Sequence, residues 1–168
     1  MPDPDLSTRT LVDPFSRRPP RRRLAERLGP VAAVAVGGAL GGSARYAVAD
    51  ALPHDETGMP WATLLVNVSG AFVLAALLVL VLDLWPPRRY VRPFLATGFL
   101  GAYTTFSSLA VEVDQRLADG AIGTATSYLA LTLVAGLGAA WSGLLVGHAV
   151  VRRNTSERPR PDPHEENR

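Results

Sequence analysis

The residues of this chain that have chemistry to offer are almost all neutral. Thr63 and Asn67 stand four apart, so on a helix they share one face, with Ser69 and Gly70 beside them. Thr104, Thr105, Ser107 and Ser108 form a dense hydroxyl cluster around Phe106, just after Gly98 and Gly101. Tyr128, Thr132 and Gly136 fall at i, i+4 and i+8, a strip that is polar at one end and small at the other. Amide N–H groups, hydroxyls and the positive edge of a phenyl ring can face an anion, and freed backbone carbonyls can ligate a cation. Hydrolytic and redox chemistry are poorly served. The chain has no cysteine, which excludes a thiolate zinc site, a disulfide framework and a cysteine nucleophile. His148 is the one histidine close to an apolar stretch, and no serine pairs with it recognisably. The sequence is not that of an enzyme.

The elements that carry these residues are set by hydropathy. Apolar residues make up 48% of the 168 positions, and they are gathered into long blocks rather than spread periodically. A hydrocarbon core about 30 Å thick needs about 20 mostly apolar residues per helix. Four stretches qualify: about Leu28 to Leu52, Trp61 to Leu84, Pro93 to Val111, and Gly120 to Gly147. The expected class is therefore an all-α integral membrane protein with four transmembrane helices. The membrane domain is read as 28–151, flanked by tails 1–27 and 152–168 that are rich in Pro, Arg, Asp and Glu and have little to bury, hence disordered. The segment SRRPPRR before the first block imitates a secretory signal, but its charged region is long, and the block is read as retained. Linkers are short, and each carries the Pro, Gly or Asp that ends a helix.

All the basic charge is arginine. Seven arginines lie in the first tail, three in the second linker (Arg88, Arg89, Arg92), five in the second tail and one, Arg116, in the third linker. Four spans put both tails and the second linker on one side, giving fifteen arginines against one. The positive-inside rule then places both termini in the cytoplasm of a cell inner (plasma) membrane protein, with Trp61, Trp85 and Tyr90 near the interfaces. Nucleic acid is not an expected partner.

Several residues do not belong in lipid unless they find partners. Gly37 with Gly41, and Gly38 with Gly42, are two interleaved small-residue pairs that would let another helix approach. Arg45, near the end of the first span, snorkels to the interface, pairs with a carboxylate or serves an anion. Asn67 either makes an interhelical hydrogen bond or faces a substrate. In the third span the glycines and hydroxyls admit two readings: an intact helix whose hydroxyls bond back to its own carbonyls, or a helix broken near its middle. Gly143 and Gly147 make another close-packing pair. No span has an acidic residue at mid-depth, which argues against proton coupling through a central carboxylate.

The stretches GGALGGSARY (Gly37 to Tyr46), TLLVNVSGAF (Thr63 to Phe72) and GFLGAYTTFSS (Gly98 to Ser108) resemble, in order and at similar spacings, the Fluc or CrcB-type family of fluoride ion channels. The resemblance covers about Val36 to Gly147. It implies a four-helix subunit with a broken third helix, paired antiparallel with a second subunit in a dual-topology-type dimer that encloses two fluoride pores. It also implies a structural sodium ion at the dimer centre. On this resemblance Thr63, Asn67, Phe106, Tyr128 and Thr132 line the fluoride pore, and Gly101 and Thr104 offer backbone carbonyls to sodium. Two residues depart from the family pattern: Leu109 stands where a second phenylalanine is usual, and Gly136 where a serine is common.

The function expected is passive fluoride efflux and fluoride resistance. The arginine count fixes one orientation, so the antiparallel partner is expected to be an oppositely oriented paralogue rather than a second copy. Two other functions compete. A proton-coupled small multidrug-type transporter is also a short four-helix protein, but it needs a glutamate in its first helix, and this chain has none there. A non-conducting membrane assembly or regulatory subunit is the other, which Leu109 keeps open.

Overall fold

The computed structural model describes residues 21–52, 58–83 and 89–156. Helix α1 is Arg21–Ala51, α2 is Trp61–Asp83, and α3 is a π-wound stretch, Pro93–Leu100, continued by the α-turn Gly101–Tyr103. Helix α4 is Phe106–Ala118 and α5 is Ile122–Ser156. Four stretches are long and apolar enough to cross a membrane: Leu28–Ala51, Trp61–Val81, Pro93–Ala118 and Ile122–Asn154. The fold is all-helical, with no strand among the described residues.

Three boundaries differ by several residues from the hydropathy reading. The third stretch runs past Glu112 to Ala118, so Asp114 to Ala118, read as part of a linker, are helical. Helix α1 begins at Arg21 and α5 continues to Ser156, so part of each tail is helical too. Arg, Leu, Ala and Glu, the composition of RRRLAER, are all good helix formers, which hydropathy alone does not register. The rest of the tails, and the linker residues Trp85 and Arg88, lie outside the described residues.

Two glycine seams hold the bundle. Gly37 and Gly41 are buried, and a Cβ on either would collide with a carbonyl oxygen of α3, that of Phe94 or of Phe99. From the other side, a Cβ on Gly98 would lie 2.7 Å from the Val34 carbonyl oxygen. The interleaved pair is not used this way: a Cβ on Gly38 would meet nothing nearer than 3.9 Å, and one on Gly42 nothing within 4 Å. The second seam sets Gly143 against the Phe72 carbonyl and brings a Cβ on Gly147 to 2.8 Å from Val79 Cβ. Close backbone approach through small residues is how helices associate in lipid, where burying leucine against leucine gains nothing over burying it against acyl chains.

The seams also fix direction. Gly37 meets Phe94 and Gly41 meets Phe99, so α1 and α3 run parallel. Gly143 meets Phe72 and Gly147 meets Val79, so α2 and α5 run parallel. The ring of Tyr90 lies against Gly29, and the segment 84–88 joins the end of α2 to this region. The start of α1, Arg89 and Arg92, and the end of α5 therefore share one side of the bundle. Trp61 and Tyr90 are exposed, as interfacial rings should be. His148 is exposed, with Nδ1 2.8 Å from the Leu144 carbonyl oxygen.

Candidate functional site

Between α3 and α4 two residues leave the helical conformation: Thr104 (φ −76, ψ 154) and Thr105 (φ −149, ψ 122). The side chain of Asn67, from α2, meets the extended Thr105 backbone with both of its polar atoms. Its Nδ2 donates to the Thr105 carbonyl (2.9 Å), and its Oδ1 accepts from the Thr105 N–H (2.8 Å). The amide thus acts as a one-residue strand partner for a backbone that has no helical one. Its second N–H is not used in this strap. Thr105 Oγ1 accepts from the Ser108 N–H (3.1 Å) and so caps α4, which is a threonine's usual service at a helix start.

This arrangement diverts the helical donors of two particular carbonyls. In a continuous helix the Gly101 C=O would accept from the Thr105 N–H, and the Thr104 C=O from the Ser108 N–H. Both donors are diverted, one to Asn67 and one to the Thr105 hydroxyl. Thr104 Oγ1 turns back to the Leu100 carbonyl (2.9 Å). Nearby, Ser69 Oγ and the Tyr103 hydroxyl are 3.1 Å apart, a second tie between α2 and α3.

A second polar centre is formed by Glu112 on α4. One carboxylate oxygen accepts from Thr63 Oγ1 and the other from the Tyr128 hydroxyl, each at 2.7 Å. Tyr128 is fully buried, packed with Leu64 and Leu109. The two short bonds tie α2 and α5 to the same carboxylate. A cavity of about 320 Å³ adjoins this centre, lined by Arg45, Tyr46 and Gly42 of α1, Thr63 of α2, and Ser108 and Glu112 of α4. Arg45 therefore lines a cavity together with the Glu112 carboxylate and the hydroxyls of Thr63 and Ser108 instead of facing lipid alone.

The residues singled out from sequence do not form one cluster. Thr63 and Tyr128 converge on Glu112, and Asn67 straps the break one turn further along α2. Thr132 is buried one turn beyond Tyr128, and its Oγ1 has no hydrogen-bond partner. Phe106 points outward, 80% exposed. Gly101 is exposed at the end of α3, and no side chain crowds it. Leu109 is buried in the small core instead of lining the cavity, and a Cβ on Gly136 would meet open space.

Sequence reasoning missed Glu112 and Arg116. Glu112 served only to mark the end of a span, and Arg116 was assigned to a linker. Arg116 is 1% exposed: its Nε donates to the Gly58 carbonyl (2.8 Å) and its Nη1 to the Glu112 carbonyl (2.7 Å). A signal was available. Thr105, Ser108, Glu112 and Arg116 are spaced 3, 4 and 4, which is one face of a helix, whatever their charge.

Comparison with known proteins gives the family of the chain. The family described as CrcB-like protein, Camphor Resistance (CrcB), matches residues 32–144. "Fluoride-specific ion channel FluC 3" of Streptomyces avermitilis is 51% identical over 127 residues, which are 76% of this chain and 62% of that relative. The chain thus spans less than two thirds of that protein's length. "Fluoride-specific ion channel FluC 2" of the same organism is 47% identical over 119 residues, 70% of this chain and 75% of the relative. "Fluoride-specific ion channel FluC" of Rhodospirillum centenum is 42% identical over 123 residues, 73% of this chain and 94% of the relative. The matched region contains the Asn67 strap, the Glu112 centre, the seam between α1 and α3 and Gly143 of the second seam, and the chain belongs to the CrcB-like family.

Proposed function

We propose that the chain is a subunit of a fluoride-selective channel, passive and not an enzyme, which lets fluoride leave the cell and so confers fluoride resistance. The observation that carries this reading is Thr132. Its buried hydroxyl has no partner in the protein, one turn from the Tyr128–Glu112–Thr63 centre, in a chain whose relatives are named fluoride-specific channels. A buried hydroxyl without a partner is costly, and a small anion accepting its O–H would remove that cost. Fluoride sheds tightly held water only where donors replace it. Thr132, the second N–H of Asn67, and the ring edge of the outward-facing Phe106 supply such donors without a fixed cation that would trap the ion.

The finer parts of the reading follow the same chemistry. The third helix is read as broken at Thr104–Thr105. A structural sodium ion would be held by the carbonyls of Gly101 and Thr104, whose helical donors are diverted to Asn67 and to the Thr105 hydroxyl. Carbonyl oxygens are suitable ligands for a hard cation, and no group of three or more His, Cys, Asp or Glu among the described residues offers a competing site. Two carbonyls fall short of a full shell, so a second subunit, antiparallel, is expected to supply the rest, placing the ion at the dimer centre. The exposed Phe106 is then a pore residue only once that subunit covers it.

The partner is read as a paralogue in the same plasma membrane, with this chain's termini cytoplasmic. The arginine-rich ends share one side, and Streptomyces avermitilis carries relatives numbered FluC 2 and FluC 3. Fluoride efflux from proteoliposomes without a pH gradient tests the channel. Efflux that needs a proton gradient, or chloride passing as readily as fluoride, would overturn it. Flux from the purified single chain, with reporter fusions signalling equally from both sides, would overturn the paralogue requirement alone.

A further inference from the structure

Arg116 is the most deeply buried charge among the described residues, and its bonding is unusual. Its guanidinium donates to two backbone carbonyls, those of Gly58 and Glu112, while Nη2 has no partner. Among the described residues it pairs with no carboxylate. Yet Glu112 is one helical turn away, close enough for side chains at i and i+4 to meet. The Glu112 oxygens are instead both taken by hydroxyls, Thr63 on one and Tyr128 on the other. A guanidinium keeps its charge under all ordinary conditions, and a buried one interacts strongly with a carboxylate one turn off even without contact.

We propose that Arg116 is a positioning residue for ion passage: it offsets the charge of Glu112 from one turn away while bonding only to carbonyls, which leaves both carboxylate oxygens to Thr63 and Tyr128. The proposal rests on the fluoride reading above. A direct ion pair would withdraw Glu112 from the hydroxyls. Without Arg116, Arg45 alone would be left to offset the Glu112 carboxylate in the cavity they line with Ser108, and the repulsion of an entering anion would rise. The bond to Gly58 does a second job. It fastens the turn just before α2 to the end of α4, and so keeps Thr63 within reach of Glu112.

The test is a double-mutant cycle on fluoride flux in proteoliposomes, read with the half-saturating fluoride concentration and with detergent unfolding. Arg116→Gln is expected to lower flux at least tenfold and raise the half-saturating concentration several-fold. Arg116→Lys, which keeps the charge and loses the fork, is expected to fall by a smaller factor. Added to Glu112→Gln, the Arg116→Gln change is expected to cost less than twofold, because the charge it offsets is gone. Equal losses in the Lys and Gln variants, or factors that multiply in the double variant, would overturn the proposal. If Arg116→Gln yields no monodisperse protein, recovery in the double variant supports the charge coupling, and failure of both overturns it. A wild-type chain that folds but conducts neither alone nor reconstituted with its paralogue would defeat the channel reading, while the unfolding cycle would still report whether the two charges are coupled.

Discussion

Asn67→Leu isolates what the strap contributes. Leucine is close in size but removes both hydrogen bonds to Thr105 at once, leaving that residue's N–H and C=O without their partner. Leaving a buried polar group unsatisfied costs about 1–3 kcal/mol. Hydrogen bonds between membrane helices measure lower, averaging about 0.6 kcal/mol with a maximum near 1.7. The two Thr105 groups sit in an extended segment whose helical partners are already diverted, so relaxation is limited, and about 2–4 kcal/mol is expected for the pair. The measurement is reversible unfolding in mixed micelles, together with hydrogen exchange at the Thr105 amide, which should lose protection by roughly the same free energy. A cost below about 0.5 kcal/mol, or an unchanged Thr105 amide, would show that the break is held by something other than Asn67. Flux should vanish in this variant, but flux alone would not separate a lost pore donor from a collapsed break.

Thr132→Val supplies the complementary case: it deletes a buried hydroxyl that has no protein partner, so stability should be unchanged or higher by up to about 1 kcal/mol while fluoride flux falls at least tenfold, as thermal unfolding and liposome efflux would record. Tyr128→Phe removes the bond to Glu112 Oε2 and should cost about 1–3 kcal/mol in detergent unfolding, since it leaves a charged group one donor short. Gly37→Val drives a side chain into the Phe94 carbonyl and should destabilise by about 1–3 kcal/mol or prevent recovery of folded protein, whereas Gly38→Ala should be neutral or gain up to about 1 kcal/mol from helix propensity.

The membrane class and the four spans were legible because hydropathy acts over about twenty residues and tolerates local error. The close-packing use of Gly143 and Gly147 was legible for a similar reason, since spacing alone puts them on one face. The two interleaved pairs in α1 were not separable: they differ by one residue in sequence and about 100° around the helix, and only the seat of α3 decides for Gly37 and Gly41. Asn67 was visible as a residue needing partners, but its partner is the backbone of an extended threonine, and no side-chain spacing points to a backbone group. Glu112 and Arg116 were lost for a different reason. Charge was used to mark where a span stops, and that rule discards a carboxylate and a guanidinium that satisfy each other's surroundings inside the protein.

The diverted N–H groups of Thr105 and Ser108 have a consequence for how such a chain finds company. Apolar surface does not drive two proteins together within a bilayer, because acyl chains wet it as well as another helix does. A carbonyl whose helical donor is diverted is different: lipid offers it no replacement, and a backbone polar group must be satisfied from within protein or from water. Whatever completes those oxygens, whether a cation, water or a second chain, is drawn to that spot specifically. Association would then be selected by polar groups of defined position rather than by stickiness, so a protomer settles only against a neighbour whose own groups complement them.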